Sequence, residues 1–349
     1  MVLRQYTKTS EAKKAAIRDK RIIEKARGEY RLTLDEKRKI LTDSIYGVDI
    51  DAQAVEVTKL SLYLKLLEGE GMTGGQVQLA LAHEKILPKL DANIKCGNSL
   101  IGPDFYDDKD MGFFPDEDLV RINVFDWGGE GTYNPKTKTW SGRGFPDIMK
   151  NGGFDCVIGN PPYGSIIPKD QLTYIKKSYN VFSKVLDIYP CFIEKSTVIL
   201  KRKGFVSFIV PSAWIGGPDY SNLREAILEK KLKTIVLLPF DIFKDAYIDT
   251  LVFSFENEQS GESDVCRTYI FPKKAKISNS LILTDSDYQR VMITSWKHQN
   301  RIVLDSDAIC LIEKISSKQH RTFNDVIRMK RGVLFDGFLL LLCVTINIA

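Results

Sequence analysis

Asn160-Pro161-Pro162-Tyr163 closes the apolar run Phe154-Asp155-Cys156-Val157-Ile158-Gly159, and its residue types suit the capture of a flat amine. Two consecutive prolines can continue neither a sheet ladder nor a helix, so the chain must turn sharply where the strand stops. The turn limits where the Asn160 side-chain oxygen, the Pro161 carbonyl and the Tyr163 ring can point. Two acceptors converging on one point match an NH2 group with its two donors, and an aromatic face beside them matches a planar base. In an open α/β sheet, ligands bind beyond the carboxyl ends of the strands, which is where this turn falls. The same four residues would also serve as a plain strand-ending turn, with an Asn cap and a packed Tyr.

For the turn to act, a buried strand must carry it and neighbouring elements must hold that strand. Residues 1–40 are dense in Lys, Arg and Glu with Ala and Ile at helical intervals, which predicts one or two solvated helices as a charged lead-in. Ser44–Asp51 predicts a short strand ending in two acids, Asp49 and Asp51, followed by an amphipathic helix from about Ala54 to Leu67. A second helical stretch is expected around Val77–Leu90. Asn93–Leu100 then predicts another short strand and polar turn.

Residues 103–150 mix Pro, Gly, Asp and aromatics irregularly and predict a long insertion. Asp187–Lys201 predicts a helix closed by Lys203-Gly204, and Phe205–Val210 a strand running into Pro211-Ser212. A helix at Tyr220–Lys230 and strands at Thr234–Leu238 and Thr250–Phe255 follow. Strands alternating with helices predict a mostly parallel α/β sheet, with the last two strands as an antiparallel hairpin at one edge. Beyond Glu256 the pattern weakens to a strand-like Arg267–Phe271, a helix at Ala308–Ser316 and the apolar run Phe338–Ile346. The expected organisation is therefore a lead-in (1–40), a central domain (41–258) and the start of a C-terminal region (259–349).

The 349 residues are 44% hydrophobic, enough to bury a sizeable core, and the net charge of +5 fits contact with phosphates without demanding it. Six scattered cysteines show no paired spacing and no neighbouring histidines, which speaks against a disulfide framework or a zinc site. They are expected as reduced core residues of a cytoplasmic protein. The charged N-terminus lacks the pattern of a secretory signal, and the final apolar run is far shorter than the roughly 20 residues that span a bilayer, so no membrane partner is expected.

The Asn-Pro-Pro-Tyr block resembles the motif of amino-methyltransferases that use S-adenosylmethionine, in particular the DNA adenine-N6 methyltransferases. With the phrases Ile45–Asp51, Asn93–Ile101, Gly152–Gly164 and Gly204–Trp214, the order of features looks like the gamma arrangement found in type IIG restriction-modification enzymes, over residues 29–256. The resemblance implies a Rossmann-like methyltransferase sheet. It also implies double-stranded DNA as partner, with the target adenine turned out of the duplex onto Tyr163. Asn160 and the Pro161 carbonyl would accept hydrogen bonds from its amine, Pro162 would shape the turn, and the lone pair would attack the cofactor's methyl group in line. Asp49, with Asp51 as substitute, would accept from the cofactor's ribose diol, although both acids would equally well cap the next helix. Asn98 and Ser99 stand where the family reads the cofactor's adenine, commonly with an acid. Phe243 stands where an aromatic packs on the flipped base, or is simply a core residue.

One part of the family pattern is missing. The resembled enzymes hold the methionine moiety with a glycine-containing loop after a first strand, and nothing before Tyr46 matches it. That strand would lie between the Ile45–Asp49 and Asp155–Gly159 strands. The chain is accordingly expected to be part of a longer methyltransferase, to need an upstream polypeptide for the absent strand and loop, and to bind S-adenosylmethionine weakly on its own. No nuclease site is legible. The same device serves methylation of protein glutamine amides and of RNA amino groups, and a non-catalytic DNA-binding remnant is a further alternative.

Overall fold

The computed structural model describes residues 2–25, 28–70, 87–107, 121–129, 132–134, 139–141, 144–164, 167–182, 187–240, 242, 248–277, 282–297, 301–316 and the strand residues 327–329, 334–335, 338–339 and 344–346. The chain divides into two compact units. The first comprises residues 1–157, 164–182 and 186–204, and the second residues 158–163, 183–185 and 205–349.

The first unit opens with helices α1 (Val2–Tyr6) and α2 (Ser10–Arg18), a hairpin of β1 (Ile22–Glu24) and β2 (Tyr30–Leu32), and α3 (Leu34–Ser44). The hairpin was not legible in the charged lead-in, because three-residue strands leave no periodicity to read. Strand β3 (Gly47–Asp49) leads into α4 (Ala52–Leu67) and pairs in parallel with β4 (Ile94–Cys96), Gly47 opposite Ile94 and Asp49 opposite Cys96. Leu41, Val55, Leu90 and Ile94 pack as one core cluster around this pair. The expected helix around Val77–Leu90 falls outside the described residues apart from its last four.

Within the 103–150 insertion lie a hairpin of β5 (Thr132–Asn134) and β6 (Thr139–Ser141) and a short α5 (Pro146–Lys150). Strand β7 (Phe154–Gly159) begins in this unit, followed by α6 (Lys169–Ser178), α7 (Tyr189–Ile199) and the start of β8 (Leu200–Pro211). The helix before β8 was expected to run to Lys201. It stops at Ile199 instead, because Leu200–Gly204 already runs as strand.

The second unit is built on β8, α8 (Ser221–Leu228), β9 (Lys230–Leu237), β10 (Thr250–Gln259), β11 (Val265–Ile270), β12 (Gln289–Met292), α9 (Ile293–Lys297) and α10 (Ser306–Ser316). The six-stranded sheet has the order β12-β11-β9-β10-β8-β7. Alternation drives its core: Val206, Phe208 and Val210 of β8 and Leu251, Phe253 and Phe255 of β10 are buried, and Ser207, Ile209, Val252 and Ser254 between them are half-buried. After Met329 the described residues form only short antiparallel strand pairs, including part of the apolar run Phe338–Ile346.

The sheet is mixed, with four of its six strands, β7, β8, β9 and β11, running the same way. β10 runs antiparallel to both β8 and β9, β11 is parallel to β9, and β12 is antiparallel to β11. The hairpin of β9 and β10 is present as expected, but it is not an edge, since β11 and β12 extend the sheet beyond it. β7 and β8 run the same way: a Cβ on Gly204, early in β8, would lie 3.1 Å from the Phe154 carbonyl, while one on Gly159 would lie 2.5 Å from the Phe208 ring. The carboxyl ends of β7, β8, β9 and β11 therefore share one edge of the sheet. Among the described residues no helix is long and apolar enough to cross a membrane.

Candidate functional site

Gly159 ends β7 because any side chain there would collide with Phe208, and Pro161 and Pro162 prevent the ladder from continuing. All four residues of the turn Asn160–Tyr163 belong to the second unit. Asn160 is exposed and its carboxamide has no hydrogen-bond partner among the described residues. Pro161 is buried, Pro162 exposed, and Tyr163 half-buried with its phenol unpaired among the described residues. Among the described residues Asn160 therefore does not cap its own turn. Among the described residues no peptide bond is cis.

In the first unit, Gly164 follows with a φ of 68° and donates its N–H to the Asp187 carboxylate at 3.3 Å. Burial raises the Asp187 pKa, and the amides of Gly164, Tyr189 and Ile188 act against that shift by solvating the charged form.

The carboxyl edge of the β3–β4 pair, also in the first unit, brings Asp49, Asp51 and Asn98 together. The Asp49 carbonyl accepts from Gly97 N–H at 2.8 Å. One oxygen of its exposed carboxylate accepts from Asp51 N–H at 2.8 Å. Asp51 is the N-cap of α4, its Oδ1 accepting from Gln53 N–H at 2.8 Å. Of the two acids, then, Asp51 caps the helix, and Asp49 keeps a carboxylate oxygen open to solvent. Asn98 Oδ1 accepts from Leu100 N–H at 3.1 Å, which closes a tight polar turn. The Ser99 hydroxyl has no partner among the described residues.

The clamps on that turn come from residues that sequence reasoning passed over, Trp127 and Asn123 inside the insertion and Tyr174 and Tyr179 beyond it. Trp127 Nε1 donates to the Ser99 carbonyl at 3.0 Å, and Tyr179 Oη to the Leu100 carbonyl at 2.6 Å. Tyr174 Oη accepts from Gly102 N–H at 3.1 Å and donates to Asp104 at 2.8 Å. Asn123 takes a left-handed φ of 47°, which Asn tolerates better than most side chains. Its carbonyl accepts from Asn98 N–H at 2.6 Å and its amide lies 3.5 Å from the Ile50 carbonyl, tying the two strand ends together. The only sequence signal was the run of aromatics, whose partners lie 28 to 79 positions away. Burial pushes the Tyr174 phenol up to about 12 and the Tyr179 phenol well above its ordinary value, so both stay protonated donors.

Phe243 lies outside the described residues. Cys191 and Cys266 are buried as expected, whereas Cys156 and Cys310 are exposed, so the cysteines are not uniformly core residues.

Residues 43–243 match the family model described as Eco57I restriction-modification methylase. The chain is 30% identical over 307 residues to the type II restriction enzyme and methyltransferase RM.Eco57I of Escherichia coli, covering 86% of this chain and 25% of that protein. It is 26% identical over 342 residues to RM.MjaORFECS2P of Methanocaldococcus jannaschii, covering 69% of this chain and 28% of that protein. The chain thus spans about a quarter of the length of these curated relatives. Among solved structures, similarity extends to the type IIG restriction endonuclease BpuSI, with a TM-score of 0.37 and 15% identity over 87% of this chain and 39% of that one.

Proposed function

This chain belongs to the Eco57I restriction-modification methylase family, and from that premise we propose that it carries the methyl-transferring part of a DNA restriction-modification enzyme, with adenine N6 as acceptor. The observation that supports this reading best is the open carboxamide of Asn160 on the Pro-Pro turn at the end of β7, with the half-buried Tyr163 three residues on. An exposed, unbonded amide on a proline-stiffened turn stabilises nothing in its own fold, which leaves its oxygen free to accept from an amine.

The nucleoside half of S-adenosylmethionine fits the β3–β4 edge: Asp49 offers a free carboxylate oxygen to a ribose diol, and the clamped Asn98–Ser99 turn offers polar groups to an adenine. No glycine loop suited to the methionine half is found among the described residues. When bound, the cofactor supplies an electrophilic methyl group. Asn160 and the Pro161 carbonyl hold the adenine amine and draw its lone pair out of ring conjugation, and Tyr163 stacks on the base. Catalysis rests on positioning and exclusion of water rather than on acid–base chemistry. A further polypeptide segment carrying the glycine loop completes the cofactor site.

The test is transfer of a radiolabelled methyl group from S-adenosylmethionine to genomic duplex DNA, by the chain alone and with an added polypeptide bearing the loop. Label is expected in N6-methyladenine after digestion, with the loop present, and Asn160→Ala is expected to reduce it at least a hundredfold. Label in RNA or in protein glutamine instead would move the substrate, and no label in either arrangement would leave a non-catalytic remnant.

A further inference from the structure

Two loops at the carboxyl edge of the sheet flank an open cleft of about 970 Å³ in the second unit, lined by Pro239, Phe240, Ile242, Lys273, Lys274, Lys276 and their neighbours. The walls are tied to each other. Phe240 N–H donates to the Lys273 carbonyl at 3.0 Å, Phe271 N–H to the Leu237 carbonyl at 3.0 Å, and Ala275 N–H closes a turn on the Pro272 carbonyl at 2.9 Å. The three lysines are exposed, and no described acid forms an ion pair with any of them. Two lysines elsewhere on this sheet are neutralised: Lys231 pairs with Asp264 and Lys233 with Glu256. Three uncompensated ammonium groups around an apolar floor suit a polyanion whose charges alternate with apolar sugar.

The place of the cleft narrows the ligand. Its walls follow β9 and β11, which end on the same sheet edge as β7 and its Asn160–Tyr163 turn. β9 and β11 stand three and four strands from β7 in the sheet order, roughly 14 to 19 Å at the usual strand spacing. Along one DNA strand that distance is roughly four to six nucleotides. We infer that Lys273, Lys274 and Lys276 form a phosphate-binding cleft for duplex DNA, gripping the backbone several nucleotides from the base presented to the turn. The choice of polymer rests on the proposed methyltransferase function; the charge and the cleft do not. Contact is to phosphates and sugars, so it sets register and affinity and reads no sequence.

The test is binding of a labelled duplex oligonucleotide to the full chain across a salt titration, without cofactor. Lys273→Ala/Lys274→Ala/Lys276→Ala is expected to weaken binding equally on unrelated sequences and to lessen the slope of log affinity against log salt by roughly 2 to 3. The Lys8→Ala/Lys14→Ala/Lys39→Ala control, which removes as much charge from exposed positions outside the cleft, is expected to leave the slope unchanged. Gln replacements at the cleft positions repeat the test with longer side chains, and an unchanged melting temperature certifies folding. An unaltered slope, or a slope lowered as much by the control, would overturn the inference. Because no methyl transfer is measured, failure of the catalytic reading leaves this result standing, and an unaltered slope leaves the catalytic reading standing.

Discussion

At the scale of single residues, the turn and its supports respond to mutation in opposite ways. Asn160 is exposed and unbonded, so Asn160→Ala is expected to change stability by no more than about 0.5 kcal/mol while abolishing transfer. Thermal denaturation beside the transfer assay checks this, and a large loss of stability would mean that the amide is structural after all. Tyr179 behaves otherwise, because it is buried and donates to the Leu100 carbonyl at 2.6 Å. Tyr179→Phe strands that carbonyl and is expected to cost about 1–3 kcal/mol at neutral pH. The sign of its pH dependence follows from burial, which raises the folded pKa above that of the unfolded chain. The Tyr179 contribution is thus complete below about pH 10 and is lost as the pH rises above it, because only the unfolded chain then releases the proton. Denaturant titrations should show wild type weakening above that pH more steeply than Tyr179→Phe. An equal slope in both proteins would remove Tyr179 as the source.

Whole elements explain which parts of the molecule were readable. The N-cap of α4 is one case: Asp49 and Asp51 are two residues apart, and the sequence offered both for the same role. The structure separates them, since Asp51 caps the helix through Gln53 N–H and Asp49 retains an open oxygen. Asp51→Ala is expected to destabilise by about 1 kcal/mol, as loss of a helix cap does, with cofactor affinity changed little. Asp49→Ala should do the reverse, lowering affinity for S-adenosylmethionine in the loop-completed protein with little change in melting temperature. Calorimetry and melting curves on the two variants decide between them, and equal effects would refute the division. Strands β7 to β10 were legible because each alternates or runs apolar over five or more residues, and adjacent turns marked their ends. The edge of the sheet was not legible, because β11 alternates plainly while nothing local says that it pairs in parallel with β9, some thirty residues upstream. The clamps on the Asn98–Ser99 turn were hidden for the same reason, since an indole or phenol donor carries no local mark of a distant carbonyl.

At the scale of the molecule, the described strands leave unfinished edges. β3 has one hydrogen-bonded neighbour, β4, and β7 stands at the end of its sheet with β8 alone beside it. Open edges of this kind are usually short, charged or covered. In the first unit Val198 of α7 is 66% exposed and Val57 of α4 62%, with Leu60 and Leu64 of α4 also exposed; in the second unit Ile158 of β7 is 79% exposed. Burying one such side chain fully is worth about 1.5–3 kcal/mol, so covering several offsets much of the roughly 4–15 kcal/mol cost of association. On the proposed reading, a polypeptide bearing a further strand and the glycine loop would cover the exposed apolar face of α4 in the first unit. Mixing the chain with such a polypeptide is expected to raise the melting temperature by several degrees, lower the fluorescence of a dye that binds apolar surface, and bring cofactor binding into the measurable range. Leu60→Lys/Leu64→Lys tests the route, since lysines on the exposed face of α4 should weaken that association while leaving the isolated chain folded. Tight binding of S-adenosylmethionine by the isolated chain, with no gain on mixing, would show that the cofactor site needs no added segment.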